Sequence, residues 1–430
     1  MRNGYHQPRT VTTAAGPSPA NAIPPGSPSS GRPQAEATFE NYIDMLALEA
    51  YEHMSRAEPP LSQRREKQLT MGRQAARASG ADQAPSAGAP AGVMLGVRPA
   101  SSMEPALLQV EDIPVPSIDG PDQVLIEVRA AAVNRSDALA CRGILPGPFP
   151  RVLGRAFAGV VVAGTRELLG RSVWGAGGEI GLSCDGAYAQ YLASSRTAVT
   201  PMPAGLSFAE AAASALSYLT AAAALRLAGP VGRESTVIVT GAVGGVGAAA
   251  ADVARWRGAR RVIGVVKGAD ELGLAVAAGI DTVIDADLSL GDRLVDAAGP
   301  AGATSAVDVV GGPLAADITR AMGARGKICL LSSPPQDSVA AIDLLDFYRR
   351  ELHLLGLNTG RLTPASAAAR LRELAPGFGD GGLRPTPVHA TYSLGEVAQA
   401  FAAAERGVRG RPVLLPHGPT GADTVGTGTK

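Results

Sequence analysis

Residues 237–247 spell VIVTGAVGGVG. Four β-branched residues, Val237-Ile238-Val239-Thr240, run straight into a glycine-rich turn, and an alanine-rich segment, Ala248–Ala254, follows at once. β-Branched side chains suit an extended chain, glycine suits a tight turn, and alanine suits a helix. That order is what a dinucleotide pyrophosphate site needs. The turn lets the backbone come close to the phosphates, and the helix beyond it turns free N–H groups and a positive dipole end toward the anion. Gly241, Gly244, Gly245, Val246 and Gly247 are therefore the expected contacts. A lone glycine pattern would mean little, but strand and helix flank this one on the required sides.

Alternation continues downstream. Arg261–Val266 reads as a second strand, a helix follows around Glu271–Ala278, and Thr282–Ile284 is a third strand. Val307–Val310 and Lys327–Leu331 are two further strands, with a helix near Leu314–Met322 between them. Strands alternating with helices imply a parallel, doubly wound sheet. Upstream, Ser207–Leu227 is alanine-rich and helical. Val124–Val128 and Val160–Val162 are strands in a region punctuated by glycine and proline, as in a small β-rich domain.

The chain changes character near Met94. Residues 1 to 34 are rich in Pro, Ser, Gly and Ala, and too poor in periodic apolar residues to offset chain entropy, so disorder is predicted. Within residues 36–56, Phe39, Tyr42, Ile43, Leu46, Ala50 and Met54 recur at helical spacing. This helix either packs on the main body or docks a protein partner; amphipathicity does not separate the two. Linker composition returns over residues 79–92.

The 430 residues carry 39 basic and 39 acidic side chains, so nothing suggests a nucleic-acid or membrane electrostatic footprint. Hydrophobic residues make up 46% of the chain, enough for a sizeable core. No apolar run reads as long enough to span a bilayer. The three cysteines, Cys141, Cys184 and Cys329, form neither a disulfide framework nor a CxxC knuckle, which points to a reducing cytoplasm. The five histidines offer no catalytic arrangement; His353 and His389 sit among apolar residues.

From Met94 to about Pro416 the chain resembles the medium-chain dehydrogenase/reductases, in their zinc-independent quinone oxidoreductase branch. The matching pieces run in family order: VEDIPVP (110–116), QVLIEVRAAAVNRSDAL (123–139), GAYAQYL (186–192), LSYLTAAAAL (216–225), the glycine motif, DVVGG (308–312) and GRPVLL (410–415). The resemblance implies an α/β chain in which a GroES-like β-rich catalytic domain holds an inserted Rossmann domain. Residues 1–93 would be a mostly disordered leader, 94–215 the GroES-like domain, 216–350 the Rossmann domain, and 351–430 the return to the catalytic domain with a disordered tail. Substrate would lie in the cleft over the carboxyl ends of the parallel strands. A homodimer acting on a small molecule is expected, with no nucleic-acid or membrane partner.

In zinc-dependent relatives the catalytic ligands lie at places that here hold Asn134, Arg155 and Leu216. None is a normal zinc ligand, and Arg155 puts a fixed positive charge there instead. The glutamate that usually follows is Ala156, and the four-cysteine lobe is missing. No metal is expected. Without that Lewis acid, reduction of a quinone or of an activated double bond is more plausible than alcohol oxidation. Asn134, Ser136 and Arg155 are the candidate catalytic donors, and Arg155 would either hold a developing oxyanion or grip a substrate carboxylate. Asp137 is expected to tie the loop. The aromatic residue frequent after Arg-Gly in relatives is absent from Arg142-Gly143-Ile144-Leu145-Pro146, and Tyr218 is a weak substitute as proton donor.

About 20 residues past the glycine turn, an NAD site usually carries an acid for the ribose 2′-hydroxyl. Here Val265-Val266-Lys267-Gly268 has none, and Lys267 suits a 2′-phosphate, so NADPH is the expected cofactor. By resemblance, Thr220 would contact the nicotinamide amide, Gly311 the adenosine side, and Ser332 and Asn358 the nicotinamide end. The alternative function is a non-catalytic nucleotide-binding or docking protein working through its leader.

Overall fold

The computed structural model describes residues 90–419, apart from 287 and 288. The helix expected over 36–56, its partner, most of the leader and the extreme tail lie outside the described residues.

The β-rich part opens with the antiparallel pair β1 (Val93–Gly96) and β2 (Glu111–Pro114). The main sheet is built from β3 (Gln123–Ala132), β4 (Ala156–Ala163), β5 (Ser172–Ala176), β6 (Tyr191–Ser195) and β7 (Thr200–Pro201), with the short helix α1 (Arg135–Cys141) after β3. β3 is central because it buries residues on both faces, and it pairs antiparallel with both β4 and β6.

α2 (Phe208–Leu227) then leads out of this sheet. Its start is fixed by a reciprocal cap: Ser207 Oγ accepts the Glu210 N–H at 3.2 Å, and Glu210 Oε2 accepts the Ser207 N–H at 2.9 Å. Alanine on several faces lets it pack closely on β3, β4 and β5 and on the second sheet. The expectation about apolar runs needs correcting here. This 20-residue helix is long and apolar enough to cross a membrane by composition, but 89% of that window is buried inside the fold. Core helices and spanning helices satisfy the same apolar count, and only the surroundings separate them.

The second sheet holds β8 (Thr236–Thr240), β9 (Arg261–Val266), β10 (Thr282–Asp285), β11 (Ala303–Asp308), β12 (Met322–Leu330) and β13 (His353–Gly356). All six are parallel, in the order β10-β9-β8-β11-β12-β13. The connections carry α3 (Gly245–Trp256), α4 (Ala269–Ala277), α5 (Leu290–Ala298), α6 (Leu314–Ala321) and α7 (Leu344–Arg349). The chain moves outward from β8 to β10, then returns to β11 on the other side. The strand order therefore reverses between β8 and β11, the place where such sheets take ligands.

After α8 (Pro364–Gly379) the chain rejoins the first sheet through β14 (Val388–Ser393), α9 (Val397–Glu405) and β15 (Arg411–Leu415). β15 lies antiparallel to β3, with Val413 opposite Ala132. The GroES-like and Rossmann-type fold class expected from the sequence is thus the fold. Several boundaries shift by a few residues, and two have a clear cause. α3 begins at Gly245 and not at the first alanine, because the glycines form its first turn. β12 begins at Met322, so the helix before it ends at Ala321.

Candidate active site

The glycine turn sits at the mouth of the strand-order reversal. Gly241 takes φ +56, and a Cβ there would press on Val309, just beyond β11. A Cβ on Gly247 would overlap the Gly241 carbonyl, so only glycine lets α3 start this close to the end of β8. Gly244 is the N-cap of α3, and Val246 lies in its first turn. Across the crevice, Gly311 takes φ +76 and backs onto the Ser332 carbonyl, with its N–H on Asp308 Oδ1 at 2.9 Å. Gly311 and Ser332 are therefore neighbours.

The sequence reading missed Arg411. It enters on β15, and its guanidinium lies against Gly245, where any Cβ would overlap it. Its Nη2 donates to Ser217 Oγ on α2 at 3.2 Å. A mostly buried cation thus stands at the N-terminal end of a 12-residue helix. Burial pushes the Arg411 pKa down, opposed by the charge of Asp137. The signal was present in GRPVLL, an arginine opening an otherwise apolar strand, but only the fold brings residue 411 to residue 245. Thr220 lies one turn beyond Ser217; it is buried, and its hydroxyl donates to the Leu216 carbonyl at 2.7 Å.

Lys267 follows β9 directly and is exposed. Ala242 in the glycine turn donates its N–H to the Val265 carbonyl at 3.1 Å, which brings the two segments together. Acids stand nearby: Glu271, four residues on, accepts the Lys267 N–H, and Asp285, from the next strand, accepts the Gly268 N–H, both at 2.8 Å.

Asn134, Ser136 and Arg155 converge through Asp137. Its Oδ2 accepts the Asn134 N–H at 2.8 Å, and its Oδ1 accepts the Arg155 N–H at 3.0 Å. Asp137 is fully buried, and burial raises its pKa, opposed first by Arg155. The Asn134 side chain donates to the Ala132 carbonyl at 3.1 Å, so part of its donor capacity is spent. Ser136 Oγ and Arg155 Nε and Nη2 are buried without a hydrogen-bond partner among the described residues. Arg155 is 3% exposed, which removes the possibility that it reaches out to solvent. Its Nη2 approaches Gly360, a Cβ there lying 3.9 Å away, beside the Asn358 side chain. Asn358 itself is exposed and holds the turn after β13, its Oδ1 accepting the Gly360 N–H at 2.9 Å.

Tyr218 is corrected as a stand-in proton donor. It is 1% exposed, and its hydroxyl donates to the Arg384 carbonyl and to Asp252 on α3, in a network completed by the Arg384 guanidinium. Burial and the Asp252 charge raise its pKa, so the proton is held and not offered. His353 and His389 are exposed, and His417 meets the Gln190 carbonyl at 3.0 Å.

Comparison with known proteins accords with this geometry. Residues 120–204 match the family described as alcohol dehydrogenase GroES-like domain, and residues 245–375 the family described as zinc-binding dehydrogenase. A zinc-type alcohol dehydrogenase-like protein of Schizosaccharomyces pombe is 30% identical over 278 residues, 64% of this chain and 81% of the relative. Quinone oxidoreductase-like protein 2 of Mus musculus is 27% identical over 287 residues, 66% of this chain and 81% of the relative. A mycobacterial protein solved in complex with NADPH superposes with a TM-score of 0.64 at 26% identity, covering 75% of this chain and all (100%) of the other. The chain belongs to the medium-chain dehydrogenase/reductase superfamily, in its quinone oxidoreductase-like branch, and is an oxidoreductase by kinship.

The zinc in the family's description does not fit these residues. Asn134, Arg155 and Leu216 offer an amide, a fixed cation and a hydrocarbon where zinc would need thiolate, imidazole or carboxylate. Among the described residues, no three His, Cys, Asp or Glu side chains gather closely enough to hold a metal ion.

Proposed function

We propose that this protein is an NADPH-dependent oxidoreductase that reduces a quinone or an α,β-unsaturated carbonyl without a metal. The observation that carries it is the pairing of a dinucleotide-type glycine turn with buried, unspent donors at the place where relatives bind zinc. Bound NADPH would be the source of the hydride, and the proton that completes reduction would come from solvent.

The chain's own residues divide the remaining work. Gly241, Gly244, Gly245, Val246 and Gly247 let backbone N–H groups meet the pyrophosphate, and Arg411 adds a cation beside them. Lys267 serves the 2′-phosphate. Gly311 would border the adenosine side, with Thr220, Ser332 and Asn358 toward the nicotinamide. Asn134, Ser136 and Arg155 face the acceptor as hydrogen-bond donors.

We place the protein in the cytoplasm, in keeping with cysteines that form no disulfide among the described residues. We also propose a homodimer. β13 is an outer strand with free backbone groups, and Leu354, Tyr348 and Leu344 beside it are exposed. A second copy related by a two-fold axis would continue the sheet and cover them.

The test is loss of NADPH absorbance with a panel of quinones and enones, alongside elemental analysis. Turnover by a zinc-free protein that chelators leave unchanged is the expected result. NADPH binding with no turnover on any acceptor would favour the docking function, and stoichiometric zinc would overturn the metal-free site.

A further inference from the structure

The geometry points to Arg155 as a seat for a carboxylate on the substrate, so that the acceptor is an enone or quinone bearing an acid group. This rests on the oxidoreductase function proposed above and narrows its substrate class.

The free atoms decide the shape of the ligand. Nε and Nη2 lie on one edge of a guanidinium, where their N–H bonds run side by side and match the two oxygens of a carboxylate. Those are the two Arg155 atoms left buried and unpartnered among the described residues. The nearby carboxylate of Asp137 does not fill the role. Both its oxygens accept backbone N–H groups, from Asn134 and from Arg155 itself, and its influence on the Arg155 side chain is felt as charge and not as a hydrogen bond. The cofactor's phosphates would have their own arginine, Arg411, which lies against Gly245 at the start of α3. What remains for Arg155 is an anion arriving with the substrate, beside Gly360 and Asn358.

Charge timing separates a carboxylate from an oxyanion. A buried cation is costly until it is paired. A neutral quinone or enone would leave the Nε–Nη2 edge of Arg155 without an acceptor anion until hydride had moved, with only the charge of Asp137 nearby. A carboxylate pairs with it on binding, in the ground state. A carboxylate seat therefore acts mainly on KM, whereas an oxyanion holder acts mainly on kcat.

The experiment uses the full chain. Benzoate and benzamide are titrated by calorimetry as flat probes that differ in charge. Turnover with NADPH is then compared for 4-oxopent-2-enoate and its methyl ester, with Arg155→Met and Arg155→Lys as variants. Wild type is expected to bind benzoate about tenfold or more tightly than benzamide, since charge-assisted pairs are roughly twice as strong as neutral ones. The acid should show a KM lower than its ester by a similar factor, at comparable kcat. Arg155→Met should erase both preferences, and Arg155→Lys should keep part of them. Equal binding of benzoate and benzamide by wild type overturns the seat without recourse to any variant. So does a folded Arg155→Met protein that keeps the preference. Benzoate binding that depends on Arg155, with no turnover of these acceptors or of any quinone or enone in the panel, supports the seat and removes the reductase function. Turnover of ester and acid alike keeps that function and removes the seat.

Discussion

The Asp137 carboxylate accepts the backbone N–H of Arg155 at 3.0 Å, across 18 residues of sequence. Its other oxygen holds Asn134 at 2.8 Å, so one buried side chain fixes the positions of two candidate substrate contacts. α1, which carries Asp137 in its first turn, is thereby locked to the start of β4.

Replacing Asp137 with alanine would orphan both N–H groups. A buried unsatisfied donor costs about 1–3 kcal/mol, so the pair should lower stability by roughly 2–6 kcal/mol. Chemical denaturation checks this. Asp137→Asn, which keeps an acceptor oxygen, should recover part of the loss, and an unchanged midpoint for Asp137→Ala would remove the tie.

Lys267→Glu should weaken NADPH about tenfold or more and leave NADH near its wild-type affinity, because a 2′-phosphate would then meet a carboxylate already flanked by Glu271 and Asp285. Cofactor fluorescence titration gives both constants. Equal losses for the two cofactors would place the 2′-phosphate elsewhere.

Gly245→Ala puts a methyl group where the Arg411 guanidinium lies. Affinity for NADPH and NADH should fall together, since the pyrophosphate is common to both. Arg411→Met should reproduce this shared loss, on the order of tenfold. A loss confined to NADPH would assign Arg411 to the 2′-phosphate instead.

Leu354→Glu puts a charge on the outer strand of the parallel sheet, at a position 39% exposed. Light scattering should show a dimer for wild type and a monomer for the variant, with cofactor binding retained. A wild-type monomer would overturn the interface.

Much of the fold was legible in VIVTGAVGGVG and its neighbours, because strand, turn and helix there are set by local chemistry. β-Branched residues, glycines and alanines each restrict the chain within a few residues of themselves. The misfit to zinc at Asn134, Arg155 and Leu216 was legible too, since side-chain chemistry needs no coordinates. The ends of elements were less so: Gly245 belongs to α3 although glycine is a poor helix former, because its lack of a side chain lets the helix begin against Arg411.

Tertiary structure decided the rest. Tyr218 looked available in sequence, yet packing aims its hydroxyl at Asp252 and Arg384. Phe208–Leu227 is apolar enough for a membrane, and two sheets bury it instead. Arg411 reaches Gly245, and Arg155 keeps one edge of its guanidinium unspent, only because strands far apart in the chain meet around α2. Backbone preferences act over a few residues and can be read from sequence. The pairing or isolation of a buried charge depends on which distant groups share its surroundings, and that is settled only when the chain has folded.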